Sequence, residues 1–266
     1  MAIHRAAVVD SKAEIHETAS IGAYAVIGAD VVIGADTVVD AHAVISGPTR
    51  IGKGNHIGSF SSVGSPPQDM HYKGEPTELI IGDNNYIREY VSIHRGTVSG
   101  RGRTVIGNGC MLMSYCHVAH DCILHDHVIM SNVATLAGHV EVGSYANLGG
   151  LVAVHQFCRI GAYTYLGGMS GISMDVPPYM ILAGTRNQMR ITGVNKIGLR
   201  RNGVSREAVD RIERAFKIIF RSAPDVVLQD ALAQTEQEMA DSPEVLHLVE
   251  FFRTSKRGVV KRTEES

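Results

Sequence analysis

The sequence predicts a mainly-β fold: a left-handed parallel β-helix, a hexapeptide-repeat solenoid, followed by a C-terminal α-helical domain. Three observations predict it. Aliphatic residues recur every six positions, from Ile3, Val9, Ile15 and Ile21 on to Val63, then at Ile81, Ile87 and Ile93, then from Ile106 to Ile172. Many of the 28 glycines directly follow one of these register positions, as at Gly22, Gly28, Gly34, Gly143 and Gly161. The apolar content is aliphatic, with 44% hydrophobic residues but only 6% aromatic ones and no Trp.

A six-residue period gives each short strand one inward side chain and then a turn. Three strands and three turns close a coil of about 18 residues, and the left hand comes from the known hexapeptide motif. Coils stack at the inter-strand spacing of about 4.8 Å, so roughly nine of them make a prism near 43 Å long. A narrow interior takes Ile, Val and Leu. Glycine after the register suits a corner that needs permissive backbone angles.

The elements follow in order. Coils run from Ile3 to Val63. Residues 65–79, SPPQDMHYKGEPTEL, lack the pattern but keep its phase, as a loop thrown out from the prism does. A second excursion over residues 95–105 slips the phase by one. Long pattern-free loops in a regular solenoid are usually functional. The repeat stops at Ile172 and Val176-Pro177-Pro178-Tyr179 closes it, which sets a β-helical unit at 1–184 and a helical unit at 185–266. After a basic linker, Ser205 caps a helix with Val209, Ile212, Phe216, Ile219 and Phe220 on one side, ended by Pro224. A second amphipathic helix covers 225–240. Ser242-Pro243-Glu244 starts a third, with Leu246, Val249 and Phe252 inward and Gly258 as stop. Such helices protect the open strand edges at a solenoid end.

Composition excludes several function classes. A formal charge of −2 argues against a basic nucleic-acid surface. No apolar run approaches the roughly 20 residues of a transmembrane helix, and the N-terminus reaches Asp10 without a signal-peptide core. A cytoplasmic protein is expected. Cys110, Cys116, Cys122 and Cys158 each sit two residues before a register position, a slot otherwise held by Ala, Val or Thr, so they read as small core residues and not as ligands.

Chemistry points to histidine. Of thirteen histidines, His4, His16, His94, His125 and His155 follow a register position and are expected as left-handed turn residues, while His42, His56, His127 and His247 are expected to be solvated. Outside the first loop, with its His71, the others converge by coil arithmetic, because residues 18 apart stack. His120 lies under Gly138 and Gln156, and Asp121, His139 and Phe157 form the next column. His117, His120, Asp121, His139, His155 and Gln156 therefore share one patch within about 10 Å. An imidazole is the natural general base for a hydroxyl or amine nucleophile. Gly138 could turn an unshielded N–H toward an oxyanion. No Ser or Cys nucleophile is needed, which favours direct transfer without a covalent intermediate.

The blocks PPQDMHYKGEPTELIIGD, VSIHRGTV, HVAHDC, NVATLAGHV, AVHQFCRIGA, DVPPYMILAG and GVNKIGLRRNGVSREAV, in this order, resemble the UDP-N-acetylglucosamine acyltransferase family of lipid A biosynthesis over essentially the whole chain. The resemblance implies transfer of a 3-hydroxyacyl chain from acyl carrier protein to the sugar 3-hydroxyl, by a homotrimer with clefts between subunits and no cofactor or metal. It makes His120 the base, Asp121 its supporting carboxylate and Gly138 the oxyanion donor. Gln68, Asp69, His71, His117, His139, His155 and Gln156 would line the nucleotide-sugar site, and Asn195 and Arg201 would hold uracil, ribose or phosphate. Gly168 would leave the acyl groove open for a long chain, with Met169 beside it. Arg200, Arg201, Arg206, Arg211, Arg214, Lys217 and Arg221 would face the acidic carrier protein. His71 stands where the family commonly has Lys, Ile197 where it has Glu, and residues 185–192 depart from its usual pattern. An amine-bearing sugar analogue is an alternative acceptor. A γ-type carbonic anhydrase is the alternative of another class, with His120 and His125 at metal-ligand spacing for Zn or Fe.

Overall fold

The computed structural model describes residues 2–185, 188–221 and 226–261. Pro224, and Arg186 and Asn187 of the departing segment, lie outside them.

The period-six register becomes three sheets wound around one apolar core, with 11, 9 and 8 strands among the described residues, parallel throughout but for the last strand of the first sheet. The first sheet starts at Ala2–Ile3, the second at Val8–Val9 and the third at Glu14–Ile15. Register residues meet their counterparts one coil on: Ile3 pairs with Ile21, Ile21 with Val39 and Val39 with Ile57. Ile57 then pairs with Ile87 and Ile87 with Leu112, steps of 30 and 25 residues where 18 is normal. The two excursions thus add 12 and 7 residues without interrupting the ladder. They are shorter than the pattern predicts, because Glu78–Ile81 and Arg103–Ile106 already pair as strands and Leu79 is fully buried. The loops proper are residues 66–77 and 95–102.

The corners differ from expectation. Left-handed backbone falls three residues after the register position, at Tyr24, Asp30, His42, Asp121 and His139, with φ between 58° and 63°. Glycine in the next slot serves a close approach instead: a Cβ on Gly22 would lie 2.6 Å from the Ala41 nitrogen of the following coil. Accordingly His42, His127 and His139 are left-handed, whereas the five histidines expected there are not. A non-glycine residue in this conformation costs about 1–2 kcal/mol. Stacking offsets it. Tyr24, His42, Phe60, Tyr90 and Tyr115 stack at 4.8–5.2 Å along one corner, and His127, Tyr145 and Tyr163 at 4.7–4.8 Å along another, matching the coil spacing. His42, His56 and His127 are therefore not simply solvated; His56 also pairs with Asp40 at 2.8 Å.

All four cysteines are free and buried. Burial pushes the Cys122 thiol up to about 12 and the others to about 11. They are inert core residues.

The β-helix continues past Ile172 by a shortened coil. Val176 bridges to Ile160, and Met180–Ala183 pairs with Tyr165–Leu166 before turning into antiparallel Arg190–Val194. The expected linker contains a helix, α1 (Lys196–Arg201). After it come α2 (Arg206–Phe220), α3 (Leu228–Glu238) and α4 (Pro243–Arg253). Ser205 caps α2 by accepting from the Ala208 N–H at 3.1 Å. On α4 the inward set is Val245, Leu248, Val249 and Phe252, and Leu246 is only partly buried. The chain beyond α4 returns to the last coil, where Val259 bridges to Asp175.

Candidate active site

The histidine-rich edge is the corner between the second and third sheets. The strand His117–Val118 ends there, and Asp121 takes the left-handed conformation with φ 60°. Its side chain is wholly buried. The second loop is wrapped around it: Thr97 Oγ1 donates to Oδ2 at 2.6 Å, and the Thr97 and Arg101 N–H groups donate at 3.1 and 2.7 Å. A Cβ on Gly100 would come within 2.5 Å of the carboxyl carbon, so only glycine lets the loop approach so closely. Burial alone would raise the Asp121 pKa, but hydrogen bonds from His120, Thr97 and Arg101 outweigh it and hold it at about 2. Asp121 is thus a permanent anion.

His120 Nδ1 lies 2.8 Å from Asp121 Oδ2. An anionic acceptor places the proton on Nδ1 and leaves the Nε2 lone pair free. The His120 ring lies against Gly138, where a Cβ would sit 2.6 Å from Cε1 and 2.8 Å from Nε2. His139 meets His120 edge-on at 5.1 Å and stacks on Phe157 at 4.4 Å. Its Nε2 is 3.9 Å from Asp121. Burial lowers the His139 pKa, while Asp121 and Asp69 oppose that shift.

The histidine group extends further than expected. His117 Nδ1 pairs with Ser92 Oγ at 2.7 Å, and buried His94 meets the His117 ring edge-on at 4.9 Å. Burial, then His117 and His120, lower the His94 pKa to about 4. His117 is lowered in the same way. Counting the seven residues that the second loop adds would have placed His94 one coil under Ala119 and Arg95 one coil under His120.

The remaining predicted residues divide. Gln68, Asp69 and His71 share the first loop, and the His71 N–H donates to Asp69 Oδ1 at 2.9 Å. His155 and Gln156 are exposed one coil beyond Gly138, with Arg257 3.3 Å from His155. Asn195 and Arg201 lie elsewhere, lining a cavity of about 590 Å³ on the first sheet with Ile129, Tyr145, Tyr165 and Ile197. Asn195 is the N-cap of α1: its Oδ1 accepts from Gly198 and its Nδ2 donates to the Tyr163 carbonyl, at 3.0 and 2.8 Å. Gly168 and Met169 sit at the exposed corner between the first and second sheets, beyond Val133 and Leu151 in one apolar column.

Ligand atoms of His120, Asp121 and His139 lie within 4.8 Å of one another, close enough to surround a metal ion. The Asp121 oxygens, however, already accept from three neighbouring residues, which fits a hydrogen-bonded dyad better than a coordination site. His125, the partner that the carbonic anhydrase alternative requires, turns away to Glu141 at 3.1 Å.

A family model described as UDP N-acetylglucosamine O-acyltransferase, domain 2, matches residues 175–260, and bacterial transferase hexapeptide repeats match residues 12–47, 30–65 and 103–138. The chain is 48% identical over 259 residues to the acyl-[acyl-carrier-protein]–UDP-N-acetylglucosamine O-acyltransferase of Myxococcus xanthus, covering 97% of this chain and 99% of the relative. The Syntrophobacter fumaroxidans enzyme of the same name is 49% identical over 261 residues, 98% and 100% of the two chains. The solved UDP-N-acetylglucosamine O-acyltransferase of Moraxella catarrhalis superimposes with a TM-score of 0.92 at 40% identity, over 98% of this chain and 100% of that one. The left-handed parallel β-helix with C-terminal helices is thereby established. Full-length similarity of this extent, on a fold whose exposed corner carries a buried-carboxylate histidine dyad, shows that the chain belongs to the acyl-[acyl-carrier-protein]–UDP-N-acetylglucosamine O-acyltransferase family.

Proposed function

We propose that the chain transfers a 3-hydroxyacyl group from acyl carrier protein to the 3-hydroxyl of UDP-N-acetylglucosamine, the entry step of lipid A biosynthesis, with His120 as general base. The observation that carries this is the His120–Asp121 pair beside Gly138. His120 Nε2 takes the proton of the attacking hydroxyl as its oxygen bonds to the thioester carbonyl carbon. Anionic Asp121 stabilises the imidazolium through Nδ1–H. The Gly138 N–H receives the developing oxyanion. The intermediate then collapses, the carbon–sulfur bond breaks, and the imidazolium returns its proton to the departing thiolate. No covalent enzyme intermediate forms, and no cofactor is used.

The His120 edge and the Asn195/Arg201 cavity lie on different sides of one prism. A nucleotide sugar held by both groups needs two copies, which supports a homotrimer with sites between subunits. The exposed column of Tyr24, Phe60, Tyr90, Tyr115, Leu151 and Met169 is a natural contact ridge for it. Gln68, Asp69, His71, His117, His139, His155 and Gln156 line the acceptor side in this assembly, and the open corner at Gly168 accepts a long acyl chain. The carrier-protein surface is narrower than charge counting implies. Arg206, Arg211 and Arg214 pair with Asp210, Glu207 and Glu238, whereas Arg200, Arg201 and Lys217 carry no ion pair among the described residues. Among the described residues no helix is long and apolar enough to cross a membrane. Pairing hydroxyacyl carrier proteins with UDP-N-acetylglucosamine and with its 3-amino analogue tests the proposal. Preference for the amine moves the assignment to N-acylation, and transfer to neither refutes it.

A further inference from the structure

We propose that Arg95 is a positioning residue that clamps the first loop in place relative to His120, and that the clamp sets affinity for the nucleotide-sugar acceptor. Arg95 is 8% exposed and has no carboxylate partner among the described residues. Its Nη1 donates to the Gly47 and Gly64 carbonyls at 2.5 and 2.9 Å, and its Nη2 to the Tyr72 hydroxyl at 3.1 Å. Gly64 lies in the strand Ser62–Ser65 from which the first loop departs, and Tyr72 is in the middle of that loop. The Tyr72 hydroxyl donates onward to the Glu75 carbonyl at 2.8 Å, and the Tyr72 N–H donates to the Asp69 carbonyl at 3.1 Å. One planar guanidinium therefore ties the take-off point, the middle of the loop and the preceding coil together.

Its place in the ladder gives this tie a direction. Ile93 pairs with Val118, and Arg95 follows Ile93 by two residues just as His120 follows Val118. Arg95 thus occupies the His120 column one coil earlier. The segment it begins continues into Thr97 and Arg101, which hold the Asp121 carboxylate. The same short stretch fixes both the base and the loop carrying Gln68, Asp69 and His71. A buried cation without a counter-charge, and with its Nε–H lacking an acceptor, is a poor source of stability. Its geometry is what matters. Lysine offers no planar fork and could not hold two carbonyls and a hydroxyl at once.

The inference rests on the proposed role of the first loop in acceptor binding, and its test separates the two. Tyr72→Phe removes one hydroxyl from a partly buried side chain, and Arg95→Lys removes the fork. Amide hydrogen exchange over residues 66–76 reads the clamp directly, and steady-state kinetics read its consequence. Tyr72→Phe should speed exchange in the loop and raise KM for UDP-N-acetylglucosamine about tenfold, the loss of one hydrogen bond to a charged group. The kcat value and the KM for the acyl donor should stay within about twofold. Arg95→Lys should do the same more strongly, and adding Tyr72→Phe to it should change little further. Unchanged exchange in Tyr72→Phe overturns the clamp. Faster exchange with an unchanged acceptor KM overturns the positioning role and locates the failure in the loop's assignment to the acceptor. Should Arg95→Lys not fold, Tyr72→Phe alone decides between these results.

Discussion

Replacing Gly138 by Ala probes the geometry of the proposed base together with the oxyanion donor beside it. The backbone at 138 is not left-handed, so Ala meets no conformational penalty there. Its methyl carbon would lie 2.6 Å from His120 Cε1, 2.8 Å from Nε2 and 3.2 Å from Nδ1. Carbon atoms prefer separations of about 3.5–4.0 Å, so the imidazole must retreat by roughly 1 Å. The clash is with the ring of a side chain and not with backbone, so the ring gives way, and its retreat stretches the 2.8 Å bond to Asp121. Losing a hydrogen bond to a charged group costs about 2 kcal/mol, the upper limit of the expected destabilisation. Misplacing a catalytic group by about 1 Å costs on the order of 100-fold in rate. Purified Gly138→Ala should therefore melt within several degrees of the parent, yet show kcat lower by about two orders of magnitude at saturating substrates. A parent-like kcat would mean that the ring position is irrelevant, and the reasoning would fail.

Other consequences follow from the same contacts. Thr97→Val removes the 2.6 Å hydrogen bond to Asp121; kcat should drop about tenfold with little change in acceptor KM, and an equal rise in KM would point to the loop instead. Acid should destabilise the fold in two windows. His94 has its pKa depressed from 6.5 to about 4, so its contribution is complete above pH 6.5 and is lost as pH falls toward 4. By pH 4.5 the loss amounts to roughly 2–3 kcal/mol. Asp121, depressed from 3.8 to about 2, adds about 2 kcal/mol that is lost only below its unfolded value. Urea midpoints of the parent and His94→Gln, measured at neutral pH and near pH 4.5, should converge in the acid; parallel losses would contradict the assignment. Gly168→Met should shift donor preference toward shorter acyl chains in a graded series, and an unchanged preference would separate the groove from this corner.

Much of the fold was legible because a solenoid converts sequence period directly into space. Ile21, Ile27 and Ile33 are buried for the reason their spacing implies. The dyad, His139 and Phe157 were likewise legible by adding 18. The corners were misread because glycine was credited with its backbone freedom, when at Gly22 it answers to the next coil's backbone and the left-handed residues are stacked aromatics. His94 and Arg95 were missed because an unequal insertion shifts the count by seven just before His120. That Asn195, besides lining the cavity, caps α1 was not legible, because a six-residue helix carries too little periodicity to announce itself. Leu246 was placed inward by one residue of helical phase, and Val245 and Leu248 hold that position.

The rate of acyl transfer by folded His120→Ala under single-turnover conditions tests the central claim most directly. Removing a general base should slow transfer by about 100- to 10,000-fold, with the melting transition and acceptor binding preserved; transfer at the parent rate would show that His120 is not the base.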